Sequence, residues 1–201
     1  MKRISLITLL FFVLCQAKAQ VSSVSPYSEP INISYNRFSL KEALAVEQAI
    51  SSKDISDSYQ TRLKREDYSN KKKYPLAPAK AFLRLESPWF ANRVEYYYDS
   101  RDSSVRAIVY EWNDLKENAI KNDKDIAVKL AAFQEKFDLL AQHITFQLGM
   151  PGFLNLESRR QVTIYKDEKK WIDQEEMNVS LSIVVNKDMG FSQIKLVVYK
   201  D

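Results

Sequence analysis

The chain has 201 residues, with 30 lysines and arginines against 26 aspartates and glutamates, and a formal net charge of +4. This length is sufficient for one hydrophobic core without disulfide bonds. The only cysteine and three of the basic residues lie in a segment that we expect to be removed, which leaves 27 basic and 26 acidic side chains. A near-neutral mature chain excludes the strongly basic surface of a general nucleic-acid binder.

Residues 1–19 have the three parts of a cleavable secretory signal peptide. Lys2 and Arg3 give a positive start, Ile4–Cys15 is an apolar run, and Ala17-Lys18-Ala19 places small residues where a signal peptidase cuts. The apolar run of about 12 residues is too short for a membrane span, which takes about 20. A lipid anchor on Cys15 is disfavoured because no small residue precedes it. We expect an exported protein, periplasmic or extracellular, without a transmembrane segment after cleavage.

Residues 20–80 are predicted to form an N-terminal extension with a short helix and a basic linker. Ser39-Leu40-Lys41-Glu42 fits a capping box, which predicts a helix to about Ile50. The stretch 62–73 carries six basic and two acidic side chains, and Pro75 stops any helix beyond it. Its charge would suit acidic glycans, lipid head groups or a partner protein. A solvated linker is favoured, because the stretch lacks an apolar face.

Residues 81–201 are predicted to form an α+β domain. Apolar residues at steps of three and four predict a long helix from about 125 to 148, ended by Gly149 and Pro151. The order β-β-β-α-β-β-β favours an antiparallel sheet of about five to six strands, with this helix packed on one face and the short helix before it. The predicted strands cover 81–87, 92–99, 104–112, 161–166, 177–186 and 191–199.

The second and third of these strands form a hairpin whose two faces can be compared. If Asp99 faces Ser104, one face is apolar in both strands, with Val94, Tyr96, Tyr98, Val105, Ala107 and Val109. The opposite face then mixes aromatic and charged side chains, as binding surfaces often do. The alternative is that the N-terminal helix or residues 51–80 cover this face as a second layer of packing. The candidate binding residues are Tyr97, Arg106, Tyr110 and Trp112.

No catalytic residue, metal site or cofactor is predicted. His143, the only histidine, lies at the edge of the long helix's apolar stripe, where a structural role is more common than catalysis. The mature chain lacks the usual ligand spacings for zinc and calcium, and the acidic clusters at 167–168 and 173–176 are expected to be solvated. Glu95 and Glu111 fall on opposite faces in the predicted register, so they cannot form the carboxylate pair of a glycosidase.

These features predict an exported, non-catalytic binding or interaction module of the bacterial cell envelope. Its partner would be an envelope protein, a peptide or a glycan, bound on the aromatic outer face of the sheet. No nucleic acid is expected as a partner. A carboxylate-dependent secreted hydrolase is the alternative. Convergent carboxylates in a cleft would favour the hydrolase, and an open aromatic patch would favour the binder.

Overall fold

The structure is a computed structural model, and it describes residues 31, 33, 38–58, 68, 73–86, 90–114, 123–158, 164–172, 177–186 and 191–200. Asn32–Asp201 form one compact unit. Within the described residues the fold is α+β, with two α-helices and one antiparallel sheet of eight strands. The predicted signal peptide lies outside the described residues. So does the basic stretch 62–73, apart from Tyr68 and Lys73.

The secondary structure of the described residues consists of two halves, each with one helix followed by four strands. The first half contains α1 (Leu40–Ala49), β1 (Lys53–Asp54), a 3-10 turn (Ser56–Ser58), β2 (Lys80–Leu85), β3 (Phe90–Tyr98) and β4 (Val105–Asp114). The second half contains α2 (Asp123–Leu148), β5 (Phe153–Ser158), β6 (Ile164–Ile172), β7 (Met177–Asn186) and β8 (Phe191–Lys200).

The strand order is β1-β2-β3-β4-β8-β7-β6-β5, and every neighbouring pair is antiparallel. Each half is a meander, and the last strands of the two halves pair in the middle of the sheet, where Val109 lies opposite Val197. The prediction of an antiparallel α+β fold with a long helix packed on the sheet is confirmed. The strand count is higher than predicted, and the order of elements has four strands on each side of α2 rather than three.

The two strands that the sequence does not predict are β1 and β5, which are the edges of the sheet. β1 has two residues, Lys53 and Asp54, and both are exposed. β5 begins directly after Pro151 and Gly152, and its Phe153 and Leu154 are also exposed. Alternating patterns detect strands that are buried on one face, and short edge strands do not need that alternation.

The helix α2 lies across β6, β7 and β8, and the side of the sheet that it covers is called the inner face below. Phe133, Phe137 and Ile144 of α2 are fully buried, as the predicted stripe requires. Each large apolar side chain stabilises the fold by about 1.5–3 kcal/mol when it is fully buried. The buried inner-face residues of β7 and β8 include Val179, Leu181, Ile183, Ile194, Leu196 and Val198.

The helix α1 begins with the predicted capping box. The backbone N–H of Ser39 donates to the Glu42 carboxylate at 2.7 Å, and the backbone N–H of Glu42 donates to the Ser39 hydroxyl at 3.3 Å. α1 packs against β3, also on the inner face, and buries Glu47 in the contact. The Glu47 carboxylate accepts hydrogen bonds from Arg84 of β2 and from the Tyr96 hydroxyl of β3. A buried ion pair therefore attaches α1 to the sheet.

The opposite side of the sheet, the outer face, has its own layer of packing over the first half. Tyr68, Leu76 and Ala79 pack there against β3, β4 and β8. The backbone N–H of Ala77 donates to the carbonyl of Tyr98 at 3.0 Å, so the segment also joins the sheet through its backbone. Within the described part of the segment 51–80, Tyr68, Leu76 and Ala79 cover this area as a second layer of packing, whereas Lys53 and Asp54 join the sheet as its edge strand. The residues beneath the layer are Tyr97, Ala107, Val109, Val197 and Tyr199.

Candidate functional site

A β-bulge in the β3–β4 hairpin changes the predicted register. Tyr98 pairs with Val105 as predicted, but Tyr97 pairs with Ala107, so Arg106 is an extra residue on β4. One extra residue turns the following side chains of a strand to the opposite face of the sheet. The prediction that Tyr97, Tyr110 and Trp112 share one face of the hairpin is therefore wrong, because the bulge places Tyr97 on the opposite face from the other two.

Tyr110 and Trp112 lie on the inner face and are fully buried. Their rings stack with centroids 6.1 Å apart, and the indole N–H of Trp112 donates to Glu86 at 2.6 Å. Glu86 in turn forms a 2.7 Å ion pair with Lys136 of α2. Trp112 thus contacts Lys136 of α2, Tyr110 stacks on Trp112 beside the Arg84 guanidinium, and both belong to the buried inner layer and not to an outer binding surface.

The other two predicted binding residues, Tyr97 and Arg106, have different surroundings. Tyr97 is on the outer face as predicted, but the packed layer buries it, and its hydroxyl donates to Glu95. Arg106 is partly exposed, with its guanidinium 3.9 Å from the centroid of the Tyr74 ring and 3.2 Å from Asp102. The four predicted residues do not form one exposed surface.

The bulge also brings Glu95 and Glu111 to the same face of the sheet, so the prediction that they lie on opposite faces is wrong. Arg93 lies between them, with its Nε 2.9 Å from Glu95 and its Nη2 2.6 Å from Glu111. Gln193 of β8 donates to Glu111 at 2.8 Å. Because both carboxylates bind one guanidinium, the cluster is an ionic contact between strands. Two carboxylates that share one guanidinium do not act as the separate acid and nucleophile of glycoside hydrolysis.

A depression of about 380 Å³ lies on the outer face of β6, β7 and β8. It is lined by rows of side chains that stand opposite one another on the three strands. Neighbouring strands are about 4.8 Å apart, so each serine of β7 has a side chain of β6 and one of β8 within one strand spacing. The rows are Glu168, Ser182 and Lys195, then Lys170, Ser180 and Val197, then Ile172, Asn178 and Tyr199.

Lysines provide most of the charge in this depression. Lys166, Lys170 and Lys195 line it together with one carboxylate, Glu168. Glu168 forms a 3.1 Å ion pair with Lys170 and accepts a hydrogen bond from Ser180 at 3.4 Å. The aliphatic stems of lysines can lie along a surface while their ammonium groups stay in water, which suits the partial burial of all three. The described lining residues carry two more positive than negative charges.

Tyr199 forms the boundary between the depression and the packed layer on the first half. It lines the depression and also packs in the outer-face layer, as Val197 does. The ring of Tyr68 meets the ring of Tyr199 edge-on, with centroids 5.3 Å apart. The packed layer therefore supports one aromatic wall of the depression.

The sequence predicts the parts of this depression but not their assembly. Alternation in 177–186 predicts that Ser180 and Ser182 point away from the core, and this is confirmed. It does not predict that Lys170 and Lys195 stand on either side of them, because that depends on how β7 pairs with β6 and β8. The outward polar residues of the last strands are the only feature of the sequence that points to this depression.

The remaining predicted features lie elsewhere. His143 is exposed on α2, with its Nε2 3.0 Å from the side-chain nitrogen of Gln147. Asp167, predicted to be solvated, is buried because β6 extends beyond the predicted strand. No described residues form a group of three His, Cys, Asp or Glu that could hold a metal ion. In the described part of the chain, no helix is long and apolar enough to cross a membrane.

Comparison of the chain with protein families, with curated proteins and with solved structures gives no match. The geometry and charge of the outer-face depression are therefore the basis for a proposed function.

Proposed function

We propose that this protein is an exported, non-catalytic binding module of the bacterial cell envelope that holds its partner in the outer-face depression on β6, β7 and β8. The observation that carries the proposal is a concave site of about 380 Å³ whose serine, asparagine and lysine side chains converge. Ligand sites are commonly preformed clefts of about 300–1,000 Å³ with a few convergent polar groups. The predicted signal peptide supports an envelope location.

The position of the depression supports a preformed site. Its central strand, β7, is paired on both sides, with β6 and with β8. α2 packs behind the same strands on the inner face. Side chains on such a scaffold lose little freedom when a ligand binds, and this reduces the free-energy cost of association.

The charge pattern favours binding over hydrolysis. A carboxylate-dependent hydrolase needs two carboxyl groups on either side of one bond. The described lining of the depression contains one, Glu168, and it is bonded to Lys170. The other carboxylate pair near the centre of the sheet, Glu95 and Glu111, is bonded to Arg93.

The test is affinity capture with the mature chain, beginning at Gln20, from an envelope extract of the source organism. Ser180→Trp fills the floor of the depression. Gln142→Trp places the same tryptophan side chain on the exposed surface of α2 and serves as the control. We expect the parent and the control to retain the same component, and the Ser180→Trp variant to retain about tenfold less, a loss near 1.4 kcal/mol of binding free energy.

Both variants must first keep the circular dichroism spectrum and the urea midpoint of the parent. Equal retention by all three proteins would refute the proposed site. A component that the parent releases in shortened form, while the Ser180→Trp variant releases it intact, would refute the non-catalytic part of the proposal and favour the hydrolase.

A further inference from the structure

We propose that the ligand of the outer-face depression is an acidic saccharide, a sugar ring that carries an anionic substituent. This inference rests on the binding function proposed above and assigns its ligand class. Three features of the depression support it, namely its charge, the kind of polar groups on its floor, and its aromatic wall.

The charge of the described lining favours an anion. Lys170 and Lys195 stand on opposite sides of the serines of β7, and Lys166 adds a third ammonium group on β6. The one carboxylate in the described lining, Glu168, pairs with Lys170. A carboxylate, sulfate or phosphate on the ligand would complement this excess, and hydrogen bonds to a charged group are about twice as strong as neutral ones.

The polar groups on the floor favour a sugar over a peptide. The backbone N–H and C=O groups of β7 are engaged in ladders with β6 and β8, so an extended peptide cannot add to this face through its backbone. The ligand would therefore meet side chains, among them the hydroxyls of Ser182 and of Ser180, which also donates to Glu168, and the amide of Asn178. These groups both donate and accept, and so do the hydroxyls of a sugar ring.

The aromatic wall supports the same ligand class. Tyr199 is partly exposed beside Asn178, and Tyr68 packs edge-on against its ring. An aromatic ring presents a negative face and a positive edge, and the C–H groups of a sugar can pack against that face. The volume of about 380 Å³ is at the lower end of the range for ligand sites, which suits a short saccharide or the end of a longer one.

The experiment is isothermal titration calorimetry of the mature protein with three probes of matched length. These are an oligogalacturonate, the corresponding neutral oligogalactose and an oligoglutamate peptide. We expect binding of the oligogalacturonate at least tenfold tighter than that of the other two, a difference of about 1.4 kcal/mol or more. The affinity should fall with added salt, because the ammonium groups are accessible to screening ions.

Two double variants separate a local site from a general charge effect. Lys170→Gln with Lys195→Gln removes the lysines on either side of the serines, and we expect at least a tenfold loss of affinity for the oligogalacturonate. Lys41→Gln with Lys53→Gln removes the same charge from exposed residues of α1 and β1. We expect this control to bind like the parent.

The outcomes separate the ligand class from the binding function. Equal or tighter binding of the neutral sugar or the peptide would overturn the acidic-saccharide inference, as would equal loss in the two double variants. If no probe binds, but the parent still captures a component that the Ser180→Trp variant loses, the ligand class is wrong and the binding function stands. If capture also fails to distinguish the parent from Ser180→Trp, both are refuted.

Discussion

The ion pair between Glu47 and Arg84 is expected to determine how firmly α1 is attached to the sheet. The Arg84 Nε lies 3.0 Å from the carboxylate, its Nη2 donates to the same group, and the two side chains are 1% and 2% exposed. Tyr96 donates to that carboxylate from β3. Glu47→Gln keeps the size of the side chain and an acceptor for Tyr96, but it removes the negative charge that faces Arg84.

The expected cost follows from the burial of both partners. Removal of one member of a buried pair costs about 3–5 kcal/mol, because the remaining charge loses its compensation. That is a large part of the total stability of a domain, which is about 5–15 kcal/mol. We expect this cost for Glu47→Gln and for Arg84→Met separately. The double variant removes both charges of the pair together, so its cost should fall to about 1 kcal/mol or less.

The assay is urea unfolding followed by far-ultraviolet circular dichroism, with stability obtained by linear extrapolation. Lys41→Gln, on the exposed side of the same helix, is the control and should change stability by about 0.5 kcal/mol or less. The reasoning is refuted if each single variant costs less than about 1 kcal/mol, below the range for a buried pair. It is also refuted if the double variant costs the sum of the two singles, because the two residues would then be uncoupled.

Two further predictions concern pH and the core. Burial raises the pKa of Glu47, but the hydrogen bonds and charge of Arg84 outweigh this and hold the pKa below its usual value. The pair therefore stabilises the fold above the unfolded pKa of about 4.3. This stabilisation is lost as the pH falls through the lower pKa of the folded state. In Arg84→Met the burial of Glu47, which raises its pKa, is opposed only by weaker hydrogen bonds from Tyr96 and Ser52, so we expect this pKa to rise and the destabilisation to shrink as pH falls from about 7 to about 4. Urea midpoints across this range that keep a constant difference from the parent would contradict this. Phe137→Ala, at a fully buried position of α2, should lower the free energy of unfolding by about 3–5 kcal/mol in the same assay. A loss as small as that of an exposed substitution would show that α2 does not pack as described.

Local patterns predicted most of the elements. The capping box at Ser39 and Glu42 is confirmed, and so is the apolar stripe that contains Phe133 and Phe137 in α2. The alternation of β7 is confirmed along the whole strand. These features were predictable because each depends on residues that are close in sequence and on the fixed period of a helix or a strand.

The candidate site was less predictable, because it depends on pairing between distant strands. The extra residue at Arg106 moved Tyr110 and Trp112 from the predicted outer face to the buried inner face. The amino-acid composition of β4 does not indicate such a bulge. The bulge forms because β4 pairs with both β3 and β8 in a register that buries the apolar side chains of β4. A one-residue shift reverses the face of each side chain that follows it.

The class of the fold, the long helix and the alternating strands were predictable from the amino-acid sequence, because its hydrophobic pattern has the period of each element. Which charges are buried and which surface is concave depend on contacts between residues that are distant in sequence. Glu47, Arg84 and Lys136 look like solvated residues in the sequence, yet each is buried beside an opposite charge from another element. The lysines and serines of β6, β7 and β8 became a candidate site because the register of three strands placed them side by side.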